Sequence, residues 1–274
     1  MTSIIYDVPL VQLAAFRDRP LIVRSEQPGA LVAQLRADDL DKLAYIQLRG
    51  LPKNIDVLVH WANDLPIDLL LHDPARDFAS LYNYAKLLDN HPVRVSLPVE
   101  DGFEKAVKLA SSLQFAVRLQ VGQPKASLIE SLARQLDDYL YKSTVSQPIE
   151  YFHSVLLSFC NHEPINLWAT LEQDPAFFRS VDEQGQEHSP VKSAETRVDL
   201  NPDNFVADWG KRLLAEGAEC ADCRFFDVCR GYFKWPRRDY DCAGVRTLFT
   251  TLKRAGEELS GDLAAMPPAG GAIA

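Results

Sequence analysis

Val93-Arg94-Val95-Ser96-Leu97, then a helical stripe of Phe103, Val107, Ala110 and Leu113, then Phe115-Ala116-Val117-Arg118-Leu119: this stretch decides the fold. A strand feeds an amphipathic helix, which returns the chain to a second strand. Such a unit needs a right-handed crossover and a parallel strand pair. The same pattern extends outward on both sides. Leu128, Leu132 and Leu136 give the next helix, in a segment ending near Tyr141, and Leu81, Tyr84, Ala85 and Leu88 the preceding one. Upstream, Leu21-Ile22-Val23-Arg24, Ala44-Tyr45-Ile46-Gln47-Leu48, Ile55-Asp56-Val57-Leu58-Val59 and Ile67-Asp68-Leu69-Leu70-Leu71 read as further strands. They are rich in branched and apolar residues, as strands covered on both faces are. The expectation is an α/β protein: a partial (β/α) barrel of about six parallel strands over residues 1–172. The step from His60 to Ile67 leaves little room for a helix.

Beyond this region the pattern changes. Val145 to Leu171 reads as helical after Pro148. Phe177-Phe178-Arg179-Ser180-Val181 and the polar Asp182–Glu187 segment suggest a hairpin tip within a connecting stretch, 173–203. Asn201 or Asp203 caps a helix carrying Phe205, Trp209, Leu213 and Leu214. A small cysteine-rich lobe over 204–259 ends in a helix from about Val245 to Leu259. The tail, 260–274, holds Met266-Pro267-Pro268-Ala269-Gly270-Gly271 and is expected to be disordered.

The strongest chemical signal is Cys220-x2-Cys223-x5-Cys229-x12-Cys242. Thiolates are soft donors, and four complete a tetrahedral ion site or the corners of a cubane. Arg224, Arg230, Lys234, Arg237 and Arg238 would offset the negative charge of such a centre. Phe225, Phe226, Tyr232, Phe233 and Trp235 would keep water from the sulfurs. The residues alone admit one [4Fe-4S] cluster or a zinc ion, and a zinc staple usually shows a second tight Cys-x2-Cys knuckle. Cys160, among apolar neighbours, reads as a buried thiol.

The chain carries a net charge of −9, which argues against a general nucleic-acid binder. No apolar run is long enough to span a bilayer, and the first residues lack the pattern of a secretory signal. A cytoplasmic location is expected, where clustered cysteines serve as ligands rather than disulfides.

Cys220-x2-Cys223-x5-Cys229 resembles the core of the SPASM domain, the C-terminal cluster-binding region of radical SAM enzymes that mature peptides and proteins. The resemblance covers about 50 residues closely. In that family a fourth cysteine follows the third with three residues between them and serves another cluster; here that position is Phe233, and no group of upstream cysteines is available for that cluster. The resemblance therefore implies a single cluster on Cys220, Cys223, Cys229 and Cys242. The strand–helix order upstream is similar to the radical SAM partial barrel in pattern only. The Cys-x3-Cys-x2-Cys motif that serves S-adenosylmethionine cleavage is missing, and Ser25-Glu26-Gln27-Pro28-Gly29-Ala30 follows an early strand instead. Arg49-Gly50-Leu51-Pro52 stands where the family's Gly-Gly-Glu-Pro element would fall, without its acidic residue. The resemblance implies an accessory in the maturation of a peptide or peptide-derived cofactor. Such an accessory would present a peptide or protein substrate to a catalytic partner, or pass electrons to a redox partner, with Trp235 and the arginines as an exposed edge.

Two other readings remain open at this point. One is a zinc-stapled binding module. The other is an enzyme using His60, His72 and Glu100, with Asp101 beside them, at the C-terminal edge of the sheet, where ligands bind in such folds. His162-Glu163-Pro164 lacks the second histidine of a zincin helix, and no phosphate loop or nucleophile elbow occurs.

Overall fold

The computed structural model describes residues 3–191 and 201–265. Nine strands form one sheet in the order β7-β6-β5-β4-β3-β2-β1-β8-β9. They are β1 (Ile5–Pro9), β2 (Leu21–Ser25), β3 (Leu43–Leu48), β4 (Ile67–Leu70), β5 (Val93–Pro98), β6 (Ala116–Gln120), β7 (Ile149–Glu150), β8 (Phe178–Val181) and β9 (Glu187–His188). Seven of the eight pairings are parallel; only β9 runs against β8. The expected α/β class and mostly parallel sheet are present, and five of the six expected parallel strands are among the nine. The expected hairpin exists as β8–β9; its first strand lies parallel to β1, and β9 is the outermost strand on that side.

Ile55–Val59 is not a strand. Asp56–Val59 forms a helical turn. The buried residues are Ile55 and Leu58, a helical spacing, while Val57 stays 42% exposed. The segment after Pro148 likewise begins as β7 before the Phe152–Asn161 and Leu167–Thr170 helices. The final helix spans Ala243–Ala265, so 260–265 is helical rather than a tail. The rest of the expected tail lies outside the described residues.

The register gives the sheet two unlike faces. Val8, Val23, Ile46, Ile67 and Val93 form one cross-strand row, and Leu48, Leu69, Val95, Val117 and Ile149 the next. Both rows belong to a hydrophobic core that includes Leu31, Leu58, Leu81, Phe103, Val107 and Leu132 from the covering helices. The alternate residues form other rows: Arg24, Gln47, Asp68 and Arg94, then Leu70, Ser96 and Arg118. The strands are therefore not apolar on both faces, and one face of the sheet is charged.

The apolar core continues into the cysteine segment, where Cys220, Phe225, Val228, Phe233 and Phe249 belong to the same cluster. The Ala243–Ala265 helix lies against the Phe152–Asn161 helix. Gly256 allows the close approach, since a Cβ there would stand 2.9 Å from the Leu156 carbonyl oxygen. Cys160 is 5% exposed, the buried thiol its neighbours implied.

Candidate functional site: a four-cysteine cavity beside a charged sheet face

The segment after the Phe205–Ala215 helix is tied down by side chains from elsewhere in the fold. Asn201 accepts from the Asp203 N–H at 3.0 Å and starts the turn into that helix. Trp209 Nε1 donates to the Gly231 carbonyl at 3.0 Å, and Trp168 Nε1 to the Arg230 carbonyl at 3.1 Å. Gln123, just past β6, donates to the carbonyls of Phe233 and Arg237 at 2.9 and 2.7 Å. Tyr240 donates to the Pro124 carbonyl at 2.8 Å. These bonds dock the segment at the C-terminal end of β6.

So held, Cys220, Cys223, Cys229 and Cys242 all line one small cavity. Phe225, Phe226, Phe233, Val245 and Phe249 form its apolar wall, with Glu219, Lys234 and Arg246 at its charged side. Arg230 and Gly231 take left-handed backbone angles, φ 49° and 74°. Through that bend the backbone N–H groups of Phe233, Tyr232 and Gly231 favour the Cys229 thiolate, as a nest of amides does for an anion. Burial acts the other way and pushes the Cys229 thiol up to about 12. Burial also raises Cys242 to about 12, and raises Cys220, against the nearby Lys234 charge. Lys234 is 5% exposed, with Nζ 2.5 Å from both the Tyr240 carbonyl and Glu219 Oε1. Glu219 also accepts from the Cys242 N–H at 3.3 Å and pairs with Arg246 at 3.4 Å.

Sequence reasoning found the four cysteines and Lys234 but missed Glu219 and Arg246. Glu219 adjoins the first cysteine, and Arg246 lies one helical turn beyond the last. The other basic residues are engaged elsewhere: Arg238 with Glu216, Arg237 with Gln123, Arg224 with Thr250, and Arg230 with the Asp227 carbonyl. Trp235 is not an exposed edge, being 8% exposed and packed edge-on against Phe205 and Trp209. Phe233 is 1% exposed and sits among Tyr151, Tyr232 and Phe249, so it serves as a core residue.

The donor set suits a thiolate-bound centre: four soft ligands, two cations, amide donors and an apolar wall. Among the described residues, no group of three or more His, Cys, Asp or Glu side chains is arranged to hold a metal ion. For a zinc ion with Zn–S of about 2.3 Å, tetrahedral geometry would bring the sulfurs to within about 3.8 Å of one another.

The histidines do not form a site. His60 caps the Asp56–Val59 turn before β4, with Nδ1 3.2 Å from Asn90 Nδ2, and so lies at the N-terminal edge of the sheet. The misread strand had placed it at the other edge. His72 follows β4 at the C-terminal edge and is exposed, as is Glu100 after β5. Asp101 pairs with Lys125 at 3.2 Å.

Sequence reasoning missed the charged sheet face altogether. Asp68, 1% exposed, accepts from Arg94 Nε at 3.0 Å, Ser96 Oγ at 2.6 Å and Gln47 Nε2 at 2.8 Å, with Arg118 Nη2 at 3.5 Å. Burial alone would raise its pKa, but Arg94, Arg118 and Ser96 together hold it below the ordinary carboxylate value. Glu172 accepts from Tyr45 at 2.5 Å and pairs with Arg118, and with Arg94 at 3.2 Å. This network borders a cavity of about 830 Å³ lined from β1, β2, β3, β4, β6, β8 and β9. The signal was present as alternation: Arg24, Tyr45, Gln47, Asp68, Arg94, Ser96 and Arg118 interleave with apolar residues.

The chain matches no known protein family, no curated protein and no solved structure. Among the described residues no helix is long and apolar enough to cross a membrane.

Proposed function

We propose that this chain is an iron–sulfur protein of SPASM type on a partial (β/α) barrel, without a SAM-cleaving site of its own. One observation carries the reading: the four cysteines of the Cys220–Cys242 stretch line one cavity that Lys234 and Arg246 also line. A [4Fe-4S] cluster is favoured over zinc because a cubane holds its thiolates at separate corners. The cysteines ring a common space, and the sequence has one tight Cys-x2-Cys knuckle rather than the two common in zinc staples. Cys220, Cys223, Cys229 and Cys242 would hold the cluster, and it would supply one-electron chemistry. The barrel reading draws on the sequential strand order and on a cavity that collects side chains from seven strands. The biological setting is an accessory role in maturing a peptide, presenting it to a catalytic partner or relaying electrons, in the cytoplasm.

Anaerobic purification with metal analysis tests this. The expected result is about four irons per chain and a broad band at about 400 nm, as thiolate-bound clusters give. Cys229→Ser should lose both. One zinc per chain, with no such band even after anaerobic reconstitution with iron and sulfide, would leave only the zinc-stapled module.

A further inference from the structure

We infer that the cavity on the charged face of the sheet binds a ligand bearing an oxyanion, carboxylate or phosphate, and that Arg49 receives the anionic group. This site is separate from the cysteine cavity and does not depend on what the cysteines hold.

The argument begins with the cost of the face. Buried charges tax stability unless each is paired and hydrogen-bonded. The interior of a parallel sheet is ordinarily filled by apolar side chains. Here instead a cavity of about 830 Å³ remains over it, within the range that takes a drug-sized molecule or a short peptide.

Charge pairing then singles out one group. Three arginines and two carboxylates line the cavity. Glu172 is engaged by Arg118, Arg94 and Tyr45. Arg179 is held by Asp203 at 2.9 Å. Asp7 is held by Arg24, which donates to its Oδ1 at 2.9 Å and to its carbonyl at 2.7 Å. That leaves Arg49. Its Nε donates to Gln47 Oε1 at 3.0 Å, and Gln47 is fixed in turn by Asp68. Among the described residues, the ion-pair contact of the outer end of its guanidinium is one of 3.8 Å with the already engaged Asp7. Glu26 and Glu183 line a smaller neighbouring cavity that Arg49 also borders.

Position agrees with charge. Arg49 directly follows β3, at the C-terminal edge of a parallel sheet, where ligands bind in such folds. Gly50 and Leu51 turn the chain away with φ of 68° and 45°. A planar guanidinium fixed through Nε presents its two Nη groups as a fork for a carboxylate or phosphate. Ser180, Ser189 and Gln173 on the facing wall offer further polar contacts, and Ile22, Leu70 and Phe178 an apolar one.

The test is isothermal titration of the full chain at low ionic strength with inorganic phosphate, pyrophosphate, glutamate, the end-capped tripeptide acetyl-Glu-Glu-Glu-amide and its uncharged, equally capped counterpart Gln-Gln-Gln. Saturable binding of at least one anion is expected, with none for Gln-Gln-Gln. Binding confined to the phosphates assigns a phosphate ligand; binding confined to glutamate or the acidic tripeptide assigns a carboxylate. Arg49→Gln should weaken that binding at least tenfold with the thermal midpoint unchanged. Arg49→Lys, which keeps the charge but loses the fork, should fall between. Lys253→Gln, a charge removed from the Ala243–Ala265 helix outside the cavity lining, should bind as wild type does. The inference is overturned if no anion in the panel gives a saturable isotherm, or if Arg49→Gln and wild type bind alike.

Discussion

Asp68→Asn removes one negative charge from the interior and changes almost nothing in volume. Asp68 is the shared acceptor of two guanidinium groups, a hydroxyl and an amide. Arg94 and Arg118, with side chains 27% and 7% exposed, would then share Glu172 as their only carboxylate. Breaking a buried pair by removing one partner costs about 3–5 kcal/mol, because the remaining charge stays desolvated. For a chain of this size each kcal/mol lowers the melting midpoint by about 2 °C, so the expected fall is roughly 6–10 °C. Scanning calorimetry and urea unfolding measure it. Asp18→Asn is the control: Asp18 is fully exposed in its pair with Lys42, and its loss should stay within about 0.5 kcal/mol. Acid adds a second readout. The folded pKa of Asp68 lies below its unfolded value. Its contribution is therefore complete above the ordinary carboxylate pKa of about 3.9 and fades as pH falls through the lower, folded value. The gap between wild type and Asp68→Asn should shrink in that acidic window. A loss below about 1 kcal/mol at pH 7, the level of an ordinary hydrogen bond, or a gap that stays constant into strong acid, would refute the reasoning.

Two further substitutions probe the cysteine region and its support. Gly256→Ala adds a methyl that meets the Leu156 carbonyl and Phe159 Cβ, both at 2.9 Å. It should destabilise by about 1–3 kcal/mol, read from the thermal midpoint, although alanine is the better helix former. Phe233→Cys restores a thiol where the related pattern has one, but opens a hole among Tyr151, Tyr232 and Phe249. It should cost about 3 kcal/mol or more and leave iron per chain unchanged; added iron would show that position 233 can ligate.

The legible parts of this fold were those whose local pattern and tertiary role agree. Strands β2 to β6 announced themselves because hydrophobic runs of the right length alternate with helical stripes. β1 was lost because Asp7 and Pro9 interrupt a short run, and β7 because two residues carry too little pattern to register. Ile55–Val59 misled because branched residues favour strands locally, while burial of Ile55 and Leu58 on one side of a turn decides the outcome. The cysteines were readable because few other roles suit that spacing. Glu219 and Arg246 were not, since an acid and a base beside a thiol look like any surface pair until the fold brings them together. The charged face was hidden by treating the strands as uniformly apolar, although every second residue dissented.

The bonds from Trp168, Trp209, Gln123 and Tyr240 have a consequence for assembly. In a zinc finger the metal supplies the energy that folds the loop. Here indoles, an amide and a phenol from separate elements grip the loop through its own backbone, independently of any sulfur. The loop then takes its shape with the body of the protein, so that any centre bound there would be inserted into a site already formed. The binding energy of such a centre would go into retention rather than into folding, and the empty chain would stay folded and competent to accept it.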